Sequence, residues 1–322
     1  MAETVIGLEV TQESVLAAEV RPARRRPVLQ RYGEIELPDG AAHDSEVVDP
    51  GMVTDAITRL WKTAKLPRRA RVVLGIDSWR VLVRDFSSPL RDLSKIIESL
   101  PFEVKDLLPV PVDQAAMDFV PTRVDDDGTQ GLLVVAGAHS VDDLVGAVGS
   151  AGVRVGAVDL VGLALCRLAA RIAEPGETVA IMRIGRRTTV MAIVVDGVPR
   201  FVRMLPAEID LSKAVLPSLG TRAERARSAQ SSTADLDDLA GRLRATLDYY
   251  TGRTDEPAVN RVLVCGAATL HASLVPRLRD ALGLPVERID AASFVNMRRH
   301  MVDPLLAQKL IGAMSLTLGG AR

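Results

Sequence analysis

The sequence predicts an α/β protein made of two similar halves. The chain has 322 residues, more than a single core usually organises. Hydrophobic residues make up 48% but aromatics only 3%, so packing rests on Val, Leu, Ile and Ala, as in sheets covered by Ala/Leu-rich helices. One order of elements, hairpin, third strand, helices, strand and helix, is read twice, from residue 4 and from residue 178.

In the first half, strands are predicted over 4–10, 14–20 and 28–37, with polar turns at 11–13 and 21–27, giving an antiparallel meander. A helix is predicted over 51–63, where Val53, Ile57, Leu60 and Trp61 recur on one face, and 71–76 returns as a buried strand. Residues 91–127 interrupt this half. A helix with Leu93, Ile96, Ile97 and Leu100 on one face runs into a proline-punctuated segment and a strand, so an inserted subdomain is expected. A strand over 131–138, a helix to about Ser150, a strand over 153–158 and a helix from Asp159 are expected to resume the lobe.

The second half opens with strands over 179–183, 188–195 and 198–205, the last two joined by Asp196-Gly197, a strong hairpin signal. Leu236, Leu239, Ala240, Leu243, Leu247 and Tyr250 have the spacing of an amphipathic helix. A core strand over 262–265 and a helix over 270–281, stopped by Gly283 and Pro285, complete the repeat.

Several function classes are disfavoured. A net charge of -1 gives no field that would steer the chain to nucleic acid, and the scarcity of aromatics argues against base stacking. Cys166 and Cys265 lie in apolar runs without a CxxC partner, as buried thiols do in a reducing compartment. The four histidines are too dispersed for a metal site, and GxSxG, HExxH and GxxxxGK[ST] are missing. The start MAETVIGLEV lacks a basic region followed by an apolar one, so no secretory leader is expected. The most apolar stretch, 132–166, is broken by His139, Asp142, Asp143, Arg154 and Asp159, so no bilayer-spanning segment is expected either. Arg24-Arg25-Arg26, between Pro22 and Pro27, reads as a solvated hairpin tip rather than a lipid-binding patch.

Seven segments in order carry a more specific signal: VIGLEVTQESVLAAEV, LPFEVKDLLPVPVDQAAMDF, LLVVAGAHSVDDLVGAVGSAGVRVGAVDLVGLAL, VAIMRIGRRTTVMAIVVDGVPRFVR, TRAERAR, VLVCGAATLHASLVPRLRDALGLPV and IGAMSLTLGG. Together they resemble the PilM family of type IV pilus assembly proteins and its FtsA relatives. The resemblance implies an actin-like fold, two ribonuclease-H-like halves around a central nucleotide cleft, with a 1C-type inserted subdomain. It implies subdomain 1A over 1–90 and 151–177, the insertion over 91–150, 2A over 178–205 and 255–300, 2B over 206–254, and a C-terminal helix over 301–322. It also implies a cytoplasmic protein held at the inner face of the membrane by a PilN-like bitopic partner, whose N-terminal peptide it binds. A PilO-like protein and the pilus motor would be reached indirectly, and homo-oligomers are possible for the family.

An actin-like cleft uses tight turns whose amides face the phosphates. The first turn here is Glu9, Val10, Thr11, Gln12, Glu13 and Ser14. Glu9 stands where the family has Asp, Thr11 replaces glycine in a turn that would favour positive φ, Glu13 adds negative charge, and Leu16 replaces a common lysine. The second is Arg183-Ile184-Gly185-Arg186-Arg187-Thr188-Thr189, which keeps Gly185, Thr188 and Thr189 but places Arg183 at the magnesium-binding Asp. The third, Gly266-Ala267-Ala268, keeps one glycine of a pair, and the Ala267 methyl would crowd an adenosine. ATP, with or without Mg²⁺, is thus expected to bind weakly or not at all, while Arg186 and Arg187 leave room for metal-free phosphate binding. Glu9 and Glu13 are expected to face Arg183, Arg186 or Arg187 and close the cleft; the alternative is that all lie on solvated turns. Asp159 is the one candidate for orienting water in an active site, and a helix N-cap is the favoured reading of it.

In the insertion, Phe102, Leu107, Leu108, Pro109, Pro111, Met117 and Phe119 gather apolar side chains that either line a groove for an extended peptide or form a small core. Two functions compete with an adaptor: a true ATPase that drives or regulates pilus assembly, and the cytosolic part of a secretion protein such as GspL.

Overall fold

The computed structural model describes residues 4–207, 222–254, 256–297 and 303–319, without Arg24, Asp44, Ser45, Pro109 and the side chains of Asp106 and 222–233. His300 and the TRAERAR side chains therefore lie outside the described residues.

Strands β1 (Val5–Val10), β2 (Ser14–Arg21) and β3 (Val28–Glu36) form the expected meander. A short pair, β4 (Ala42–His43) and β5 (Glu46–Val47), leads into helix α1 (Pro50–Thr63). The Asp49 carboxylate accepts from the Met52 amide at 2.9 Å to cap α1, and Val53, Ile57, Leu60 and Trp61 are buried as their spacing predicts. Strand β6 (Arg71–Ile76) then pairs with β1 in parallel, and β10 (Val155–Leu160) pairs with β6, giving the order β10-β6-β1-β2-β3.

The second half repeats this topology. Strands β11 (Thr178–Ile184), β12 (Thr188–Val195), β13 (Val198–Pro206), β14 (Arg261–Cys265) and β15 (Val286–Arg288) are ordered β13-β12-β11-β14-β15. Asp196 (φ 48°) and Gly197 (φ 80°) form the tight turn between β12 and β13.

The central strands read as near-continuous apolar runs because both faces are covered. Ile6, Leu8, Val72 and Leu74 pack against α1 and α3 (Ala138–Ser150). Leu16, Ala18, Val179, Ile181, Val190 and Ala192 share a core between the sheets with α4 (Val161–Ile172) and the C-terminal α8 (Ile311–Leu316). Ala180, Met182, Ile184, Met191 and Ile193 face α5 (Arg222–Thr251) and α6 (Leu274–Leu282). Gly7 admits α8 at close range, since a Cβ there would lie 1.8 Å from the Ala313 carbonyl oxygen. The C-terminal segment is two short helices, α7 (Pro304–Lys309) and α8, rather than the one expected.

The inserted region differs from its expected bounds. A three-stranded sheet, β7 (Leu82–Ser88), β9 (Gly128–Gly137) and β8 (Ala115–Asp125), begins before residue 91 and takes in the strand expected over 131–138 in the main lobe. Leu133 and Val135 point into a small core with Phe119 and with Ile96 and Leu100 of α2 (Leu93–Glu103). Helix α3, placed in the insertion by the 91–150 bounds, instead buries Leu144, Ala147 and Val148 in the first lobe against α1. Likewise Leu236, Leu239, Leu243 and Leu247 of α5, expected in a separate region over 206–254, pack directly on the second sheet.

Candidate functional site

The two hairpins and the turn after β14 converge on a cleft of about 590 Å³ between the halves. Thr11, Gln12, Glu13, Ser14, Gly185, Arg186, Arg187, Thr188, Gly266 and Ala267 line it. Glu9 and Thr189 are buried behind this surface.

At the base of the cleft Arg183 donates from Nη2 to Glu9 Oε2 and from Nη1 to Asp77 Oδ2, both at 2.7 Å. All three side chains are buried. Burial pushes the Glu9 carboxyl up to about 7, with Arg183 pulling it back and Asp77 adding to the rise. Asp77 is raised by the same burial against the same arginine. Burial opposes the Arg183 charge, but Glu9 and Asp77 more than offset it, so the guanidinium is held above its usual range.

The turn amides are engaged within the protein. The Thr11 hydroxyl accepts from the amides of Glu13 (3.3 Å) and Ser14 (3.0 Å) and donates to the Ser14 carbonyl (2.9 Å). Among the described residues only Lys65 and Asp196 are non-glycines with positive φ, so Thr11 is not strained as its β-branch suggested; its hydroxyl instead takes up the turn's donors. The Gly185 amide donates to the Thr188 carbonyl at 3.0 Å. Gly266 (φ 96°) lies so near β11 that a Cβ would meet the Ile184 carbonyl at 2.5 Å, and its amide donates to Gln308 Oε1 at 2.9 Å. Gln308 is fixed by donating to the Ile289 carbonyl and Asp290. Across the cleft mouth Lys309 pairs with Glu34 at 2.8 Å.

The expected ion pair between the halves thus forms through Glu9 and Arg183, while Glu13 lines the cleft and its Oε1 has no hydrogen-bond partner. Arg186 is exposed and has no ion-pair partner among the described residues. Asp77, Glu34, Gln308 and Lys309 escaped sequence reasoning. Asp77 had a signal: it stands two residues past Gly75, which pairs with Glu9, as Ala267 stands two past Cys265, which pairs with Arg183. Asp159 neither lines the cleft nor caps α4. It is the penultimate residue of β10 and is ion-paired with Arg167, and the N-cap position belongs to Leu160, which has no side-chain hydrogen bond to offer. Cys166 and Cys265 are buried thiols, pushed up to about 12 by burial.

Beside the small sheet, the end of α2 and the segment after it form a second concavity of about 780 Å³, lined by Phe102, Leu108 and Pro111 together with Pro101, Val110 and Val112, and by Lys105 and Asp113. Phe102 is 84% exposed and Leu107 50%. Phe119 and Met117 belong instead to the small core, and Pro109 lies outside the described residues. On its other side this sheet is tied to the second half by Arg253, which donates to Asp85 at 2.6 Å. Among the described residues, no helix is long and apolar enough to cross a membrane.

The solved structure of a PilM-PilN type IV pilus biogenesis complex contains a chain similar to this one, with 22% identity, a TM-score of 0.84 and coverage of 99% of this chain and 98% of that one. An actin-like ATPase fold protein of unknown function from Bacteroides thetaiotaomicron matches at 7% identity and a TM-score of 0.55, covering 98% and 96%. The ethanolamine utilization protein EutJ from Carboxydothermus hydrogenoformans matches at 13% and 0.53, covering 98% and 89%. The fold is therefore actin-like. The family model for the type IV pilus assembly protein PilM matches residues 7–206, and the chain belongs to the PilM family of type IV pilus assembly proteins.

Proposed function

We propose that the chain is a cytoplasmic adaptor of pilus assembly that binds the N-terminal segment of a PilN-like bitopic membrane protein, with its two halves tied at the base of the cleft by its own side chains. The observation that carries the adaptor role is Phe102, almost fully exposed in a largely apolar groove at the end of α2, beside a small core already filled by Phe119, Leu133 and Ile96. An aromatic left in water at a concave surface is what an interface anchor looks like before its partner arrives. The small sheet would then be the 1C-type insertion, and a PilO-like protein and the motor would be reached through the PilN-like partner.

The cleft residues do not fit a magnesium nucleotide. Glu9 and Asp77 already share a guanidinium, and the amides of Glu13, Ser14, Gly185 and Gly266 are bonded internally. An ATP-hydrolysing protein is the second reading, favoured by exposed Arg186 at the cleft. Co-purification with the cytoplasmic tail of the neighbouring bitopic protein tests the first reading: retention by wild type and loss with Phe102→Asp supports it, and no retention of any such tail overturns it.

A further inference from the structure

The edge of the first sheet that faces away from the cleft is basic. Arg71 opens β6, Arg21 closes β2 and Arg154 immediately precedes β10, so the register places all three at one end of the strands, while Glu9 and Gly75 mark the cleft end. The turn from β2 to β3 adds Arg25 and Arg26, and the connection from α1 to β6 adds Lys65, Arg68 and Arg69. Alone, Arg25 and Arg26 make a solvated tip; the fold lines them up with cations from two other segments. All but Arg71 are exposed, and among the described residues none of these cations has an ion-pair partner. Arg26 donates to the Ala292 carbonyl and Arg68 to those of Ala151 and Gly152, bonds that leave their charge in place. Glu19, two residues before Arg21, is buried and paired with Arg31 at 2.6 Å.

The second half supplies a control. Arg261 opens β14 opposite Val179 as Arg71 opens β6 opposite Val5. Arg261 is neutralised by Glu177 at 2.6 Å and Glu287 at 3.0 Å. By register the place of Glu287 belongs in the first half to Ala157. Glu3, the counterpart of Glu177 in sequence, lies outside the described residues, and a single carboxylate leaves the rest of the charge standing. The charge is thus a property of one half and not of the fold.

We propose that this rim docks on an anionic lipid surface, so that the chain meets the membrane directly as well as through a partner. A sheet edge of five strands spans about 20 Å, and long cationic side chains along it can meet several headgroups of a planar surface at once. Nucleic acid is the poorer match, since the rim has no exposed aromatic to stack on a base: Trp79 lies past the cleft end of β6, Phe102 at the end of α2 and Tyr249 in α5. Under the adaptor reading the partner is anchored in a membrane, so such a surface is at hand; the charge on the rim stands without that reading.

The test is sedimentation of the full chain with vesicles of neutral phosphatidylcholine, alone or mixed with anionic phosphatidylglycerol. Wild type should partition onto the anionic vesicles at low salt and come off at about 0.5 M salt. Lys65→Gln, Arg69→Gln and Arg154→Gln combined should weaken that partition about a hundredfold, whereas Lys65→Arg, Arg69→Lys and Arg154→Lys combined should keep it. Should the neutralised triple variant not fold, as its melting curve will show, Arg21→Gln with Arg25→Gln at the other end of the rim should weaken it at least about tenfold. Partition that is equal on neutral vesicles, or that neither set of substitutions moves, overturns the proposal. So does duplex DNA bound more tightly than anionic vesicles at the same salt, which would assign the rim to nucleic acid. No peptide is present, so failure here leaves the adaptor reading standing.

Discussion

Glu9 and Arg183 stand at matching positions of the two halves and meet across the cleft, Oε2 to Nη2, at 2.7 Å. Each is the penultimate residue of the first strand of its half, opposite the residue before the last hairpin pair, Leu16 for Glu9 and Val190 for Arg183. Each also faces a residue of the parallel strand, Gly75 or Cys265. The pseudo-symmetry of the fold thus brings opposite charges together at its centre. Because both are buried, removing one partner leaves the other's charge uncompensated. Arg183→Ala should lower unfolding stability by about 3–5 kcal/mol in denaturant titration. A loss under about 1 kcal/mol would mean that the cluster does not hold the halves together.

The lock also depends on a glycine. Gly312→Ala places a methyl on the Glu9 carboxylate and should cost about 1–3 kcal/mol. Pairing it with Glu9→Asp, which shortens the offending side chain, should recover part of that loss, so a double-mutant cycle measured by thermal melting should be non-additive. Strict additivity would place the strain of Gly312→Ala elsewhere in α8.

Groove and core separate in the inserted region. Phe102→Ala should leave stability within about 0.5 kcal/mol while weakening peptide binding at least about tenfold. Phe119→Ala, removing a side chain only 3% exposed and packed edge-on against Phe86, should cost about 3–5 kcal/mol. Chemical denaturation and fluorescence-detected peptide titration of both variants check the contrast.

Much of this was legible in the sequence because the pattern repeats. The hairpin turns, the Asp196-Gly197 turn and the α1 face followed from local chemistry, and the cleft residues followed from their order in both halves. Asp77 was missed because an Asp after a strand ordinarily reads as loop; only alignment of the halves gives it a counterpart in Ala267. Gln308 and Lys309 were invisible because they reach the cleft from the far end of the chain. The strand Gly128–Gly137 was assigned to the wrong sheet, since an apolar run does not say which core it faces. For Thr11 the sequence pointed to backbone strain, whereas the hydroxyl's capture of two amides sets the turn.

The most direct test of an adaptor whose halves are tied at the base of the cleft is calorimetric titration of the full chain with the N-terminal cytoplasmic peptide of a PilN-like bitopic protein, with and without Mg-ATP. The account predicts the same peptide affinity in both and no micromolar heat of binding for ATP alone. Peptide binding that requires Mg-ATP, or micromolar ATP binding by the wild type, would contradict it.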